Sequence, residues 1–206
     1  MRKLHDNTMT IPPNHAPLAE IRHSQQSFPM KPIIRDSTDA DVPAIAAIYQ
    51  HSVRTGTASF ELDPPSTEEF ARRRQAVLGG GFPYLVAELD GQPVGYAYAS
   101  TYRPRPGYRF TVENSVYVAP GLQGRGIGKA LLPVLIDRCE DAGFRIMIAV
   151  IGDTQNAPSI ALHAACGFHH IGTLPGVGWK LGRWLDSVLM VRQLGAGTSE
   201  PPPPGR

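Results

Sequence analysis

The stretch VYVAPGLQGRGIGKALLPVL, residues 116 to 135, restricts the possible folds of this chain more than any other segment. An apolar strand runs into a glycine-rich turn, and the turn opens straight into an amphipathic helix. Glycines at such a junction let backbone N–H groups converge on an oxyanion at a helix N-terminus. Arg125 and Lys129 add positive charge there. Two nucleotide-binding readings fail on detail. A dinucleotide fingerprint follows the first strand and needs an acidic residue about 20 positions on. Here the glycines come after the fourth or fifth strand, and no such partner follows. A Walker A loop needs Ser or Thr after Gly-Lys, and Gly128-Lys129 is followed by Ala130. Two readings remain: a phosphate-holding turn, or a glycine-rich turn with no ligand.

With 206 residues, the chain has enough length for one domain with a real core. A hydrophobic fraction of 42% and a charged fraction of 18% are those of a soluble globular protein. The net charge of +2 is too small to argue for nucleic acid or an anionic membrane. Apolar runs such as FRIMIAVIG fall far short of the roughly 20 residues that cross a bilayer. The N-terminus lacks the apolar core of a secretory signal. Cys139 and Cys166 have neither metal-ligand spacing nor disulfide density, so no metal is expected and a reducing, cytoplasmic setting is.

Residues 1–31 carry prolines and histidines without hydrophobic periodicity and read as a disordered leader or a start-codon overcall. Residues 195–206 read as a flexible, proline-rich tail. Between them, 32–194 form the domain. IIRDS is a first strand; the next helix places Val42, Ile45, Ile48 and Tyr49 at helical spacing, with Asp39 or Asp41 as N-cap. TEEFARRRQAVLGGG is a second helix, capped by Thr67 and ended by Gly79 to Gly81. YLVAELDGQPVGYAYASTY is a hairpin turning at Asp90-Gly91. ENSVYVAP is a strand before the glycine turn, RIMIAVIG a buried strand, NAPSIALHAACGF a short helix, and two strands close the chain. The order β-α-α-β-β-β-α-β-α-β-β predicts an α/β domain around a mixed sheet, not a doubly wound parallel one.

QGRGIG directly after a VYV strand resembles the acetyl-CoA pyrophosphate loop of the GNAT acyltransferase superfamily, Q/R-x-x-G-x-G/A. Gln123, Gly126 and Gly128 fill its named positions. NAPSIALHAACGF is similar to the superfamily's second coenzyme A motif. With ENSVYV and GRWLD, these segments resemble the phosphinothricin and methionine sulfoximine N-acetyltransferase branch, over roughly residues 32 to 194. The resemblance implies a mixed, mostly antiparallel central sheet flanked by helices. It also implies acetyl-CoA as cosubstrate, held by Val116, Tyr117, Val118, Gln123, Gly124, Arg125, Gly126, Ile127, Gly128, Lys129 and Asn156. Asn156, before a helix, is equally an ordinary N-cap.

Acetyl transfer to an amine needs a proton acceptor, donors for the tetrahedral oxyanion, and a donor for the leaving thiolate. The resemblance puts Glu113 in the first role and His163 beside the thiolate, as acid or as second base; it offers the Val118 N–H to the thioester carbonyl. Read without it, Glu113 is a solvent-facing strand residue and His163 an ordinary packed histidine. No cysteine is placed for an acyl-enzyme, so direct transfer in a ternary complex is expected.

Arg103, Arg105 and Arg109 lie close to Glu113 in sequence and suit an acceptor that carries an anion as well as an amine. They suit a solvated face as well. The branch places substrate contacts at Arg103, Pro104 and Arg105, at Glu113, Asn114 and Ser115, and at Phe60. Its members imply an amino-acid-like acceptor and a homodimer, for which Trp179 and Trp184 offer apolar contact. The competing readings are another amine on the same fold and a non-catalytic acyl-CoA sensor. Arginines argue against a polycationic acceptor, and the presence of both Glu113 and His163 argues against a sensor.

Overall fold

Seven strands and four α-helices make up residues 31–202, the part of the chain that the computed structural model describes. The expected leader, apart from Lys31, and the last four tail residues lie outside it. The strands are β1 (Ile33–Asp36), β2 (Tyr84–Leu89), β3 (Gln92–Thr101), β4 (Thr111–Val118), β5 (Ile146–Gly152), β6 (His169–Lys180) and β7 (Arg183–Gln193). The helices are α1 (Val42–Thr55), α2 (Thr67–Gly79), α3 (Ile127–Asp141) and α4 (Ala157–Ala165).

One sheet runs β1-β2-β3-β4-β5-β7-β6, antiparallel throughout except between β4 and β5. Alternation along the strands sends successive side chains to opposite faces. Leu85, Ala87, Ala97 and Val112 pack under Leu131, Leu132 and Leu135 of α3. Tyr84, Val86 and Tyr96 pack under Ile45, Tyr49 and Val53 of α1 and Phe70 of α2. Two cores, one on each side of the sheet, fix where the helices lie.

The local signals worked where the backbone itself was coded. Asp90 and Gly91 both hold positive φ at the β2–β3 turn, 49° and 75°. At α2, Ser66 and not Thr67 is the cap: its Oγ accepts the Glu69 N–H at 3.2 Å, and Thr67 is the first helical residue. Asp41 precedes α1 but caps nothing there. Its carboxylate takes both terminal nitrogens of Arg35 at 2.7 Å and the Thr38 N–H at 2.7 Å, tying β1 to the turn before α1. The tail opens as hydrogen-bonded turns, with the Gly197 N–H donating to Leu194 O at 2.8 Å.

Candidate active site

β4 pairs with β3 from Val112 to Val118, but with β5 only over Thr111 to Glu113. Beyond that point β5 follows β7, held by pairs from Ile146 to Gly152, and a gap opens beside β4. The Ala119 N–H donates to Val94 O at 2.9 Å, toward β3. Ladder alternation therefore turns the N–H groups of Val116 and Val118 the other way, into the gap. Asn114 spans the base of the gap. Its Nδ2 donates to Ile148 O at 3.0 Å, and its Oδ1 faces His163 Nε2 at 2.9 Å.

The glycine turn closes one end of the gap. Gly124 and Gly126 hold φ of 76° and 84°, left-handed values that a side chain resists, and nothing stands within 4 Å of where a Cβ would project. α3 starts immediately after, so its first N–H groups, which have no intrahelical acceptor, face this open side along with the positive end of the helix dipole. A Cβ on Gly128 would come within 2.9 Å of Leu162, so glycine there lets α3 approach α4. A groove of about 500 Å3 follows Val116 to Val118, Gln123, Gly124, Gly126 to Lys129 and Asn156. Arg125 is exposed and lies off that lining. Asn156 caps α4, its Oδ1 accepting the Ser159 N–H at 3.4 Å, while it also lines the groove; the two roles coexist.

The sequence reading missed the opposite wall. His51, Ser52 and Thr55 of α1 face the groove. The signal was present as a polar stripe beside the apolar face of that helix, but nothing in the stripe says what stands across from it.

A second cavity of about 330 Å3 meets the groove at Ala58, Val116, Tyr117, Asn156 and Ser159. Phe60, Glu113, Asn114, Ser115 and His163 line it, together with Tyr98 and Ser59, which the sequence did not point to. Glu113 is half-buried, has no ion-pair partner among the described residues, and is pushed above the ordinary carboxylate range by burial. His163 is 4% exposed. Burial pulls its pKa below the ordinary histidine value, and the 2.8 Å contact of Nδ1 with Ser159 O opposes that. Phe60 sits on a loop seated against two glycines: a Cβ on Gly178 would overlap its ring, and one on Gly152 would overlap the Thr57 carbonyl. The buried Lys180 fastens the same loop, Nζ donating to Ser59 O at 2.6 Å.

The arginines stand apart. Arg103, Pro104, Arg105 and Arg109 line a separate cavity of about 240 Å3 with Thr111. Arg103 lies over the Tyr102 and Tyr108 rings, at 5.1 and 5.7 Å. Thr111 is one pleat before Glu113, roughly 7 Å along β4. Asp186 of GRWLD is structural, accepting the Gly176 N–H at 2.9 Å and the Thr154 hydroxyl at 3.2 Å.

The glycine turn, the helix it opens and the diverging pair β4 and β5 all lie within one stretch that a family model covers. Residues 45–168 fit the acetyltransferase (GNAT) family model. The chain belongs to that family. This GNAT acetyltransferase is 56% identical over 169 residues to a phosphinothricin N-acetyltransferase of Alcaligenes faecalis, covering 82% of the present chain and 86% of the relative. It is 40% identical to an L-methionine sulfoximine/L-methionine sulfone acetyltransferase of Pseudomonas paraeruginosa, covering 84% and 100%. A crystal structure of a phosphinothricin acetyltransferase from Sinorhizobium meliloti in complex with AcCoA superposes with a TM-score of 0.83 at 48% identity, over 85% of this chain and 95% of that one. The mixed sheet flanked by helices is thus the GNAT fold that the motifs implied.

Proposed function

We propose that this acetyltransferase moves an acetyl group from acetyl-CoA to the amine of a small amino-acid-like acceptor by direct attack in a ternary complex. One observation carries the reading: two cavities meet at the splayed end of β4, and a carboxylate without an ion-pair partner among the described residues stands in one of them. The groove takes the cosubstrate, its pyrophosphate on the N–H groups of the Gln123–Lys129 turn and its pantetheine along Val116 to Val118. Asn156 bonds the pantetheine from the α4 side. The Val118 N–H serves the thioester carbonyl and stabilises the oxyanion as charge develops. Glu113 takes the proton from the attacking ammonium, and its raised pKa suits that task. His163 is the source of the proton that the leaving thiolate gains. Phe60, Asn114 and Ser115 shape the acceptor pocket.

The acceptor class rests on the relatives' substrates, phosphinothricin and methionine sulfoximine or sulfone. Arg103, Pro104 and Arg105 act from their separate cavity, drawing in an acidic acceptor by charge. A free-thiol release assay with acetyl-CoA tests this against phosphinothricin, methionine sulfoximine, methionine sulfone, spermidine and kanamycin. Turnover on the first three alone is expected; turnover on the polycations alone would sink the acceptor class.

A homodimer belongs to the same proposal. Ile171, Leu174, Val177, Trp179 and Trp184 are exposed on the edge hairpin β6–β7, an apolar surface suited to a second copy. So does a cytoplasmic setting, which the two free thiols support. Among the described residues, no helix is long and apolar enough to cross a membrane.

A further inference from the structure

His163 lines the acceptor cavity, yet both its ring nitrogens are engaged inside the protein. Nε2 faces Asn114 Oδ1 at 2.9 Å, and Asn114 cannot turn to offer its amide, because that Nδ2 already donates to Ile148 O at 3.0 Å. A flipped amide would set two oxygens against each other. Nε2 therefore keeps its proton. Nδ1 faces two atoms of one residue, Ser159 O at 2.8 Å and Ser159 Oγ at 3.5 Å. Of the three neighbours, only the Ser159 hydroxyl can both accept and donate. Ser159 sits one helical turn before His163 on α4 and lines both cavities, at the place where they meet. His163 lines the acceptor cavity only.

From this arrangement we infer that Ser159 is the residue that protonates the leaving thiolate, relaying a proton from His163 Nδ1, with Asn114 as the positioning residue that keeps Nε2 protonated. The inference rests on the acetyl-transfer reading above and specifies its last step. As the tetrahedral intermediate collapses, its C–S bond breaks and the electron pair leaves on sulfur. The sulfur takes the hydroxyl proton of Ser159, and Ser159 Oγ takes the proton of the His163 imidazolium at Nδ1. The neutral imidazole that remains has Nε2–H on Asn114 and Nδ1 accepting from Ser159; it regains a proton from solvent before the next turnover.

Two measurements test it. In 15N spectra of the acceptor-free, acetyl-CoA-free protein, Nε2 of His163 stays protonated across its titration and Nδ1 is the nitrogen that titrates. A ring that keeps Nδ1–H and titrates at Nε2 overturns the relay. In single-turnover transfer, Ser159→Ala lowers the rate roughly 10- to 100-fold with acetyl-CoA affinity unchanged. Ser159→Thr recovers most of that loss, and adding Ser159→Ala to His163→Gln costs little further. An unchanged rate in Ser159→Ala, or losses that multiply in the double variant, overturns it as well. If wild-type protein transfers acetyl to none of the amino-acid acceptors, the acceptor proposal fails, while the spectra still decide which nitrogen titrates.

Discussion

Glu113 has one cause for its raised pKa, burial, and that cause has two consequences of opposite value. The first is catalytic. A base must be ionised, so the single-turnover rate should fall as pH drops through a value above the ordinary 4.5, and Glu113→Gln should lose roughly 10^2- to 10^4-fold while still binding acetyl-CoA. Unchanged turnover in that variant at neutral pH would remove Glu113 from the mechanism. The second is energetic. A carboxylate whose folded pKa is raised binds more protons folded than unfolded, so it lowers stability as pH rises from about 4.5 through the folded pKa. Glu113→Gln is therefore expected to melt higher than wild type at neutral pH and to lose that advantage in acid. Asp41 shows the reverse sign. The Arg35 guanidinium, helped by the Thr38 N–H, holds its carboxyl down to about 2 from 3.8. That contributes roughly 2 kcal/mol, present above the ordinary value and lost as pH falls toward about 2. Arg35→Met should remove this acid-sensitive share, read from melting temperatures at pH 7 and pH 3.

Among the elements, the loop between α1 and α2 depends most on others for its place. Its Phe60 ring rests on Gly178 of β6, and its Ser59 carbonyl is held by Lys180 of the same strand. Gly178→Ala should displace the ring and cost about 1–3 kcal/mol of stability, with a higher KM for the acceptor and little change in acetyl-CoA affinity. An acetyl-CoA affinity that falls in step would place the loop in the groove instead. Helices and strands were largely legible in the sequence because their periods and turn residues are local: Asp90-Gly91 for the hairpin, Gly79 to Gly81 for the end of α2, the apolar spacing of α1. The caps were less so. Ser66 and Thr67 are chemically interchangeable as caps, and only the backbone angle at Ser66 decides between them. Asp41 looked like a cap because its better partner, Arg35, becomes a neighbour only once β1 and the turn fold together.

In the whole molecule, the edge hairpin β6–β7 leaves Trp179 and Trp184 exposed, their rings 5.3 Å apart. Sedimentation should give the mass of a dimer, and Trp179→Lys with Trp184→Lys should give a monomer; a monomeric wild type would discard the proposal. The sequence alone determined the order of helices and strands and the glycine turn before α3, because turn glycines and strand-to-helix periodicity are written in adjacent residues, and the resemblance of its motifs named the GNAT fold. It also brought Glu113 and His163 forward as candidates by their types and motif positions. It did not determine what those side chains meet. The arginines near Glu113 in the chain turn to another cavity, whereas His51, Ser59 and Tyr98 come to the cavities from distant segments. Asn114, which reads as a substrate contact, is taken up between Ile148 and His163. Those partnerships depend on where β4 parts from β5 and on how α4 lies against the gap. Both are set by pairing between residues dozens of positions apart, which no local pattern encodes.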